Sequence, residues 1–111
     1  MVTEIKTLND FANSIGNENT KLVVIDFYAD WCGPCKKIAP FFSNLINKYP
    51  DISLYKINID TKELSDVCKV CEVTSLPTFC LFVGGKYVTK LVGASEKDLE
   101  ALVLKNYTNV K

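Results

Sequence analysis

The stretch that decides the fold reads Ala29-Asp30-Trp31-Cys32-Gly33-Pro34-Cys35-Lys36-Lys37. It follows an apolar run and opens a helical pattern, so both cysteines are predicted to lie at a helix N-terminus. There the unpaired N–H groups and the partial positive charge of the helix stabilise a thiolate. Cysteines three residues apart on a first turn are also close enough for a disulfide. The spacing therefore predicts a redox-active pair, Cys32–Cys35.

The two cysteines of this pair are expected to differ in role. Cys32 is predicted to be the more exposed and to attack a disulfide, whereas Cys35, one turn into the helix, is predicted to resolve the mixed disulfide. Gly33 permits the tight turn, and Pro34 has no N–H to leave unsatisfied in the first turn. The alternatives are a purely structural disulfide and one half of a metal site.

A second CxxC motif, residues 68–71, raises the question of a zinc site. The 32 residues that separate it from the first motif exceed the usual zinc-ribbon spacing. Cys68 and Cys71 also continue an apolar helical stripe with Leu64 and Val67. We therefore expect no metal site and interpret this pair as core residues, with a regulatory disulfide between them as the alternative.

Apolar periodicity outside the motif predicts alternating helices and strands. Asp60, with Glu63 three residues later, resembles a capping box that opens a helix, and Gly84-Gly85 is expected to form a hairpin turn. The polar tail 106–111 is expected to fray. A βαβ half followed by a ββα half indicates an α/β fold, with a central mixed β-sheet and helices on both faces, in one domain spanning 1–111. Helices are predicted over 8–15, 32–49, 60–71 and from 96 onward, and strands over 22–28, 52–59, 78–83 and 87–92.

Composition excludes several classes of function. The chain has 111 residues, and its 13 basic residues, all lysine, balance 13 acidic ones. Without arginine or a basic surface, nucleic acid is an unexpected partner, and no apolar run is long enough to predict a membrane segment. The absence of histidine excludes Cys–His and Ser–His nucleophilic pairs. Five cysteines, an odd number, favour a reducing compartment, and Cys80 is expected to be a buried small hydrophobe.

Asp26 interrupts the apolar strand 22–28. Burial without a partner raises the pKa of a carboxyl group, so Asp26 is expected to be neutral over part of the physiological pH range. Lys56, on the neighbouring predicted strand, tunes that pKa. A purely structural pair between Asp26 and Lys56 is the alternative to a chemical role.

The residues Trp31-Cys32-Gly33-Pro34-Cys35-Lys36 resemble the active-site signature of the thioredoxin family, in particular its eukaryotic cytosolic members. The resemblance runs from about residue 3 to residue 105. It implies the thioredoxin fold and reduction of protein disulfides, with re-reduction by a separate NADPH-dependent thioredoxin reductase and no bound cofactor. Supporting matches are Asp26, Pro40, Lys56, Asp60, Thr74-Ser75-Leu76-Pro77-Thr78 and Val92-Gly93-Ala94.

The resemblance also implies roles for individual residues. Asp26 is assigned as a proton relay to Cys35, with Lys56 tuning its pKa. Pro77 is expected to be a cis proline that faces the cysteines, and Leu76 to offer backbone groups to an extended substrate. The implied substrate-binding surface comprises Trp31, Gly33, Pro34, Leu76, Pro77, Gly93 and Ala94.

The direction of the reaction follows from what stands between the cysteines. Disulfide oxidases and isomerases commonly carry a histidine beside the second cysteine, whereas this chain has Pro34 there, so the dithiol is expected to be a reductant. The alternative is a redox-active binding or scaffold subunit. The resemblance implies thioredoxin reductase, peroxiredoxins and ribonucleotide reductase as partners, a monomer, and a cytoplasmic location with access to the nucleus.

Overall fold

The computed structural model describes residues 1–16 and 22–109. Within these residues, five strands form one sheet: β1 (Val2–Glu4), β2 (Leu22–Tyr28), β3 (Ile52–Asn58), β4 (Thr78–Val83) and β5 (Lys86–Val92). Their order is β1-β3-β2-β4-β5. β3 pairs in parallel with both β1 and β2, whereas the β2–β4 and β4–β5 pairs are antiparallel. The predicted α/β fold with a mixed sheet is confirmed.

Helices cover both faces of the sheet, as predicted. They are α1 (Leu8–Ile15), α2 (Gly33–Lys48), α3 (Ser65–Val70) and α4 (Glu96–Asn109). Because side chains alternate along a strand, Leu22 and Val24 of β2 pack under α2 and α4, whereas Val23 and Ile25 pack under α1 and α3. None of the helices in the described part of the chain has both the length and the apolar character of a membrane span.

The central strand β2 positions the reactive segment. All of its residues except Tyr28 are buried, and its chain leads through a short turn into α2. β2 and β3 run in parallel, so their carboxyl ends meet at the same edge of the sheet, where α2 begins. At the far side of the sheet, Gly84 (φ 59°) and Gly85 (φ 81°) form the predicted hairpin turn, because two successive residues there need positive φ.

The capping box predicted at Asp60 and Glu63 is wrong. A 3-10 turn, Lys62–Leu64, precedes α3, and its N-cap residue makes no side-chain capping bond. The Asp60 carboxylate instead accepts a hydrogen bond from Trp31 Nε1 at 3.1 Å, and Glu63 Oε2 accepts one from the Leu8 N–H at 3.1 Å. Donors distant in sequence thus engage both carboxylates, which a local pattern cannot reveal.

Both ends of the chain differ from the sequence-based predictions. β1 was not predicted, because three residues are too few to show a period, and it is defined by its pairing with β3. The tail was expected to fray from residue 106, yet α4 continues to Asn109. The Tyr107 ring packs on Tyr49 with centroids 5.0 Å apart, which anchors this last turn. Residues 110 and 111 lie outside the described residues.

Candidate active site

Cys32 and Cys35 form a disulfide at the N-terminus of α2, with their α-carbons 5.3 Å apart. Cys32 is the N-cap residue, with an extended backbone (φ −90°, ψ 106°), and its Sγ accepts a hydrogen bond from the Cys35 N–H at 3.2 Å. Pro34 occupies the first turn, where the missing N–H costs no helical hydrogen bond. The predicted pairing at a helix N-terminus is confirmed.

The two cysteines differ little in exposure. Cys32 is 5 % exposed and Cys35 is 3 % exposed, so the predicted order holds by a narrow margin. The neighbouring Trp31 side chain is 70 % exposed. A reaction partner must therefore reach the Cys32 sulfur through the surface around it rather than meet a protruding side chain.

A groove of about 490 Å³ opens beside the disulfide. One wall is the start of α2, and the other is formed by the end of β3 and the segment that follows α3. Of the predicted substrate-binding residues, four line this groove: Trp31, Gly33, Pro34 and Leu76. Cys32 is also part of the lining, whereas Cys35 is not. The two cysteines therefore differ in their access to the groove.

The other three predicted substrate-binding residues lie outside the groove lining. The Leu76–Pro77 peptide is cis, as the resemblance implied. The Gly93 N–H donates a hydrogen bond to the Pro77 carbonyl at 2.8 Å, and Gly93 has a φ of 107°, which favours glycine. This bond ties the segment Gly93-Ala94 to the cis-proline segment, so both stand next to the groove.

Sequence reasoning missed four residues of the groove as individual contributors: Ile59, Val73, Thr74 and Ser75. Thr74 and Ser75 belong to the segment that carries the family resemblance, so their place in the groove could have been predicted from that segment. Ile59 and Val73 read as ordinary apolar residues, and only the fold brings the end of β3 beside the chain that leaves α3.

Asp26 is 4 % exposed and lies on the face of the sheet that α2 covers. Within the described residues, its Oδ1 has no hydrogen-bond partner. Burial raises the pKa of Asp26 from 3.8 to about 7, and the nearby Lys56 charge opposes part of that rise. Asp26, Cys35 and Lys56 line the same cavity of about 160 Å³, so the acid and the inner cysteine border one common space.

Lys56 lies opposite Asp26 in the β2–β3 register. Its Nζ stands over the Tyr28 ring, 5.4 Å from the ring centroid, and the Tyr28 hydroxyl donates a hydrogen bond to Glu4 Oε2 at 2.9 Å. Glu4 is the register partner of Lys56 on the other side, in β1. The lysine is thus flanked by two acidic residues, Glu4 and Asp26.

The three remaining cysteines lie away from this site. Cys71 and Cys80 are buried and Cys68 is half-buried, all on the α1/α3 face of the sheet, which agrees with their interpretation as core residues. Among the residues described by the structure, no cluster of histidine, cysteine or carboxylate side chains is arranged to hold a metal ion.

Comparisons with known proteins agree with this geometry. The family model described as Thioredoxin matches residues 2–105. The chain is 47 % identical to "Thioredoxin-like protein R548" of Acanthamoeba polyphaga mimivirus over 95 % of this chain and 77 % of that protein. It is 44 % identical to "Thioredoxin-1" of Saccharomyces cerevisiae over 96 % of this chain and 99 % of the relative.

A solved structure supports the same assignment. It concerns the thiol-resolving mechanism of a yeast mitochondrial 1-Cys peroxiredoxin via glutathione/thioredoxin systems, and one of its chains matches with a TM-score of 0.84 and 38 % identity over 94 % of both chains. A disulfide at a helix N-terminus, a groove beside it and a family match over nearly the whole chain agree. The chain belongs to the thioredoxin family of thiol–disulfide oxidoreductases.

Proposed function

We propose that this chain is a protein-disulfide reductase in which Cys32 attacks the substrate and Cys35 resolves the mixed disulfide. The observation that carries the proposal is the position of Cys32 as the N-cap of α2, where its sulfur accepts the Cys35 N–H. In the reduced protein this donor and the helix N-terminus favour the thiolate, which is the nucleophilic form.

The reaction proceeds in two exchanges. The Cys32 thiolate attacks one sulfur of the substrate disulfide, forms a mixed disulfide and releases the other substrate sulfur as a thiolate, which takes up a proton. Cys35 then loses its proton and attacks Cys32, which forms the Cys32–Cys35 bond and releases the second substrate thiol. The two electrons gained by the substrate are those lost by the two cysteines.

Asp26 acts as the proton acceptor for Cys35 in the second exchange. A pKa of about 7 lets the carboxyl group both take and return a proton near neutral pH. The shared cavity with Cys35 supports this role, and the opposing charge of Lys56 keeps the pKa from rising further. Lys56 is therefore a positioning residue that tunes the acid.

The dithiol works as a reductant and is restored by an NADPH-dependent thioredoxin reductase. Pro34 supports this direction because it stands where oxidising relatives commonly carry histidine. The match to a chain in a structure on peroxiredoxin thiol resolution supports peroxiredoxins as one class of substrate. Ribonucleotide reductase is proposed as a further substrate, and the chain is proposed to act as a monomer in the cytoplasm with access to the nucleus. The three free thiols support a reducing compartment.

The test is an NADPH-coupled insulin-reduction assay with a thioredoxin reductase. We expect NADPH oxidation and insulin precipitation that both depend on the chain. A matched control is the Cys32→Ser, Cys35→Ser double variant, which removes the dithiol and leaves the rest of the sequence unchanged. Binding of disulfide proteins without turnover would instead identify a scaffold subunit and contradict the proposal.

A further inference from the structure

Three thiols lie outside the active site: Cys68, Cys71 and Cys80. The CxxC spacing suggests a pair between Cys68 and Cys71, but the fold offers Cys71 a different partner. Cys68 and Cys71 are neighbours along α3 and its C-cap. Cys71 nevertheless packs in the same buried cluster as Cys80, which comes from β4. A second possible sulfur partner for Cys71 therefore comes from across the core, nine positions away in sequence.

A lysine from the neighbouring strand completes this cluster. Lys90 of β5 is the register partner of Cys80, so their side chains share one face of the sheet. Lys90 Nζ donates hydrogen bonds to the Glu72 carbonyl at 2.8 Å and the Cys71 carbonyl at 3.4 Å. The ammonium group is thereby held at the chain segment that carries the Cys71 thiol.

Exposure and charge distinguish the two thiols, because Cys71 lines a surface cavity whereas Cys80 is fully buried. Interaction with the Cys80 thiol, together with the Lys90 charge, lowers the pKa of Cys71 although burial opposes the shift. The same interaction raises the pKa of Cys80, and burial adds to that effect. The pKa of Cys68 is raised, first by desolvation, so Cys68 lacks the character of a nucleophile.

Cys71 can be reached by a small molecule. It is 5 % exposed and contributes to the lining of a surface cavity of about 210 Å³ between α1 and α3. The other lining residues are Leu8, Phe11, Asp66, Val67 and Val70. Cys80 is fully buried. The cavity is too small for a protein disulfide in a folded chain, but it admits a compact oxidant.

We propose that Cys71 and Cys80 form a second dithiol–disulfide site, with Cys71 as the peroxide-reactive thiol and Cys80 as the resolving thiol. The oxidant is hydrogen peroxide. The Cys71 thiolate attacks one peroxide oxygen, the O–O bond breaks, and a sulfenic acid and a hydroxide form. The Cys80 sulfur then attacks the sulfenic sulfur, so that the S–S bond forms and a second hydroxide leaves. The two thiol protons convert both hydroxides to water, and the peroxide receives the two electrons lost by the sulfurs.

The test uses the Cys32→Ser, Cys35→Ser double variant, which retains these three thiols as its only cysteines. The folded protein is treated with limiting hydrogen peroxide, quenched with catalase and then unfolded in the presence of a maleimide. We expect the count of free thiols to fall from three to one, with a peptide map that joins Cys71 to Cys80. Near-UV circular dichroism before treatment establishes that the variant is folded.

Two matched variants in the same background sharpen the test. With Cys68→Ser the count should fall from two to none at an unchanged rate. With Cys80→Ser the Cys71–Cys80 bond cannot form, and a sulfenic acid at Cys71 should be trapped by dimedone. Retention of all three thiols, a Cys68–Cys71 bond, or oxidation that occurs only after unfolding would overturn the proposal.

Discussion

The two sulfur sites of this chain differ in where their cysteines stand relative to a helix. Cys32 and Cys35 begin α2, so the Cys35 N–H donates to the outer sulfur, and a groove of about 490 Å³ lies beside it. Cys71 ends α3, where no helical N–H groups are free, and it depends on Cys80 and Lys90 for its polar surroundings. Position, rather than the presence of two cysteines, decides which sulfurs suit a protein substrate.

The two sulfur sites also differ in the ionisable residue that lies next to them. Asp26 stands behind Cys35 with a pKa of about 7, so it can exchange protons during each turnover. Lys90 at the second site is a fixed positive charge bound to backbone carbonyls, which can favour a thiolate but offers no proton acceptor. The first site is therefore suited to repeated exchange, and the second to a single oxidation event.

The largest expected effect separates the two nucleophiles. Cys32→Ser should lower insulin reduction by at least about 10³-fold, because no second cysteine is among the described residues that line the groove. Cys71→Ser should leave the rate within about twofold of the unchanged protein, because Cys71 is absent from the groove lining. A loss of comparable size in both variants would show that the two sites are not separate.

A smaller effect is expected for the acid behind the first site. Asp26→Asn should slow disulfide reduction by about 10- to 100-fold at neutral pH, since proton transfer from Cys35 loses its acceptor. Cys32 remains in place in this variant, so initial formation of the mixed disulfide should be affected less than its resolution. Rapid-quench measurement of the two phases checks this, and an equal slowing of both would argue against the relay.

The same substitution should stabilise the fold. A folded pKa of about 7 against an unfolded value near 3.8 corresponds to about 4 kcal/mol for the ionised group, and burial of the new amide offsets part of it. We expect Asp26→Asn to raise the free energy of unfolding by about 1–3 kcal/mol at pH 8.

The pH dependence of that gain has a definite sign. Because the folded pKa is raised, the protonated acid contributes stability below the unfolded pKa, and this contribution is lost as pH rises from about 4 through about 7. The gain from Asp26→Asn should therefore grow over that range and level off above it. Urea titrations at a series of pH values measure it, and a gain independent of pH would rule out the buried acid as its cause.

The smallest expected effect is that of replacing the half-buried thiol of Cys68. Cys68→Ser should change the free energy of unfolding by at most about 1 kcal/mol, whereas Cys80→Ser, at a fully buried position, should lower it by about 1–3 kcal/mol. Chemical denaturation of both variants checks the difference. Equal costs would mean that the core does not distinguish the two positions.

Local patterns were enough to predict the parts of the fold that local physics determines. The apolar run of β2, the turn at Gly84-Gly85 and the helix that begins at the CxxC motif all carry short-range signals. The burial of Asp26 was also predictable, because a strand with apolar residues on both of its faces is buried on both sides of the sheet. These features needed no knowledge of which elements are neighbours.

The features that escaped prediction depend on contacts between distant segments. The groove wall formed by Ile59 and Val73 exists only because β3 and the end of α3 meet. Asp60 was predicted to cap a helix locally, but its carboxylate accepts a hydrogen bond from Trp31 Nε1, 29 positions earlier in the sequence. The Cys71–Cys80 pairing likewise requires the end of α3 to lie over β4, which CxxC spacing alone cannot reveal.

The most direct test of the central claim is directional trapping with a disulfide-containing protein substrate. Cys35→Ser should accumulate a stable mixed disulfide through Cys32, because the attacking sulfur remains and the resolving sulfur is absent. Cys32→Ser, the matched control, should accumulate none, since Cys35 does not face the groove. Non-reducing electrophoresis with mass spectrometry of the trapped species gives the result. Equal trapping by both variants, or trapping through Cys35 alone, would contradict the assignment of Cys32 as the attacking residue.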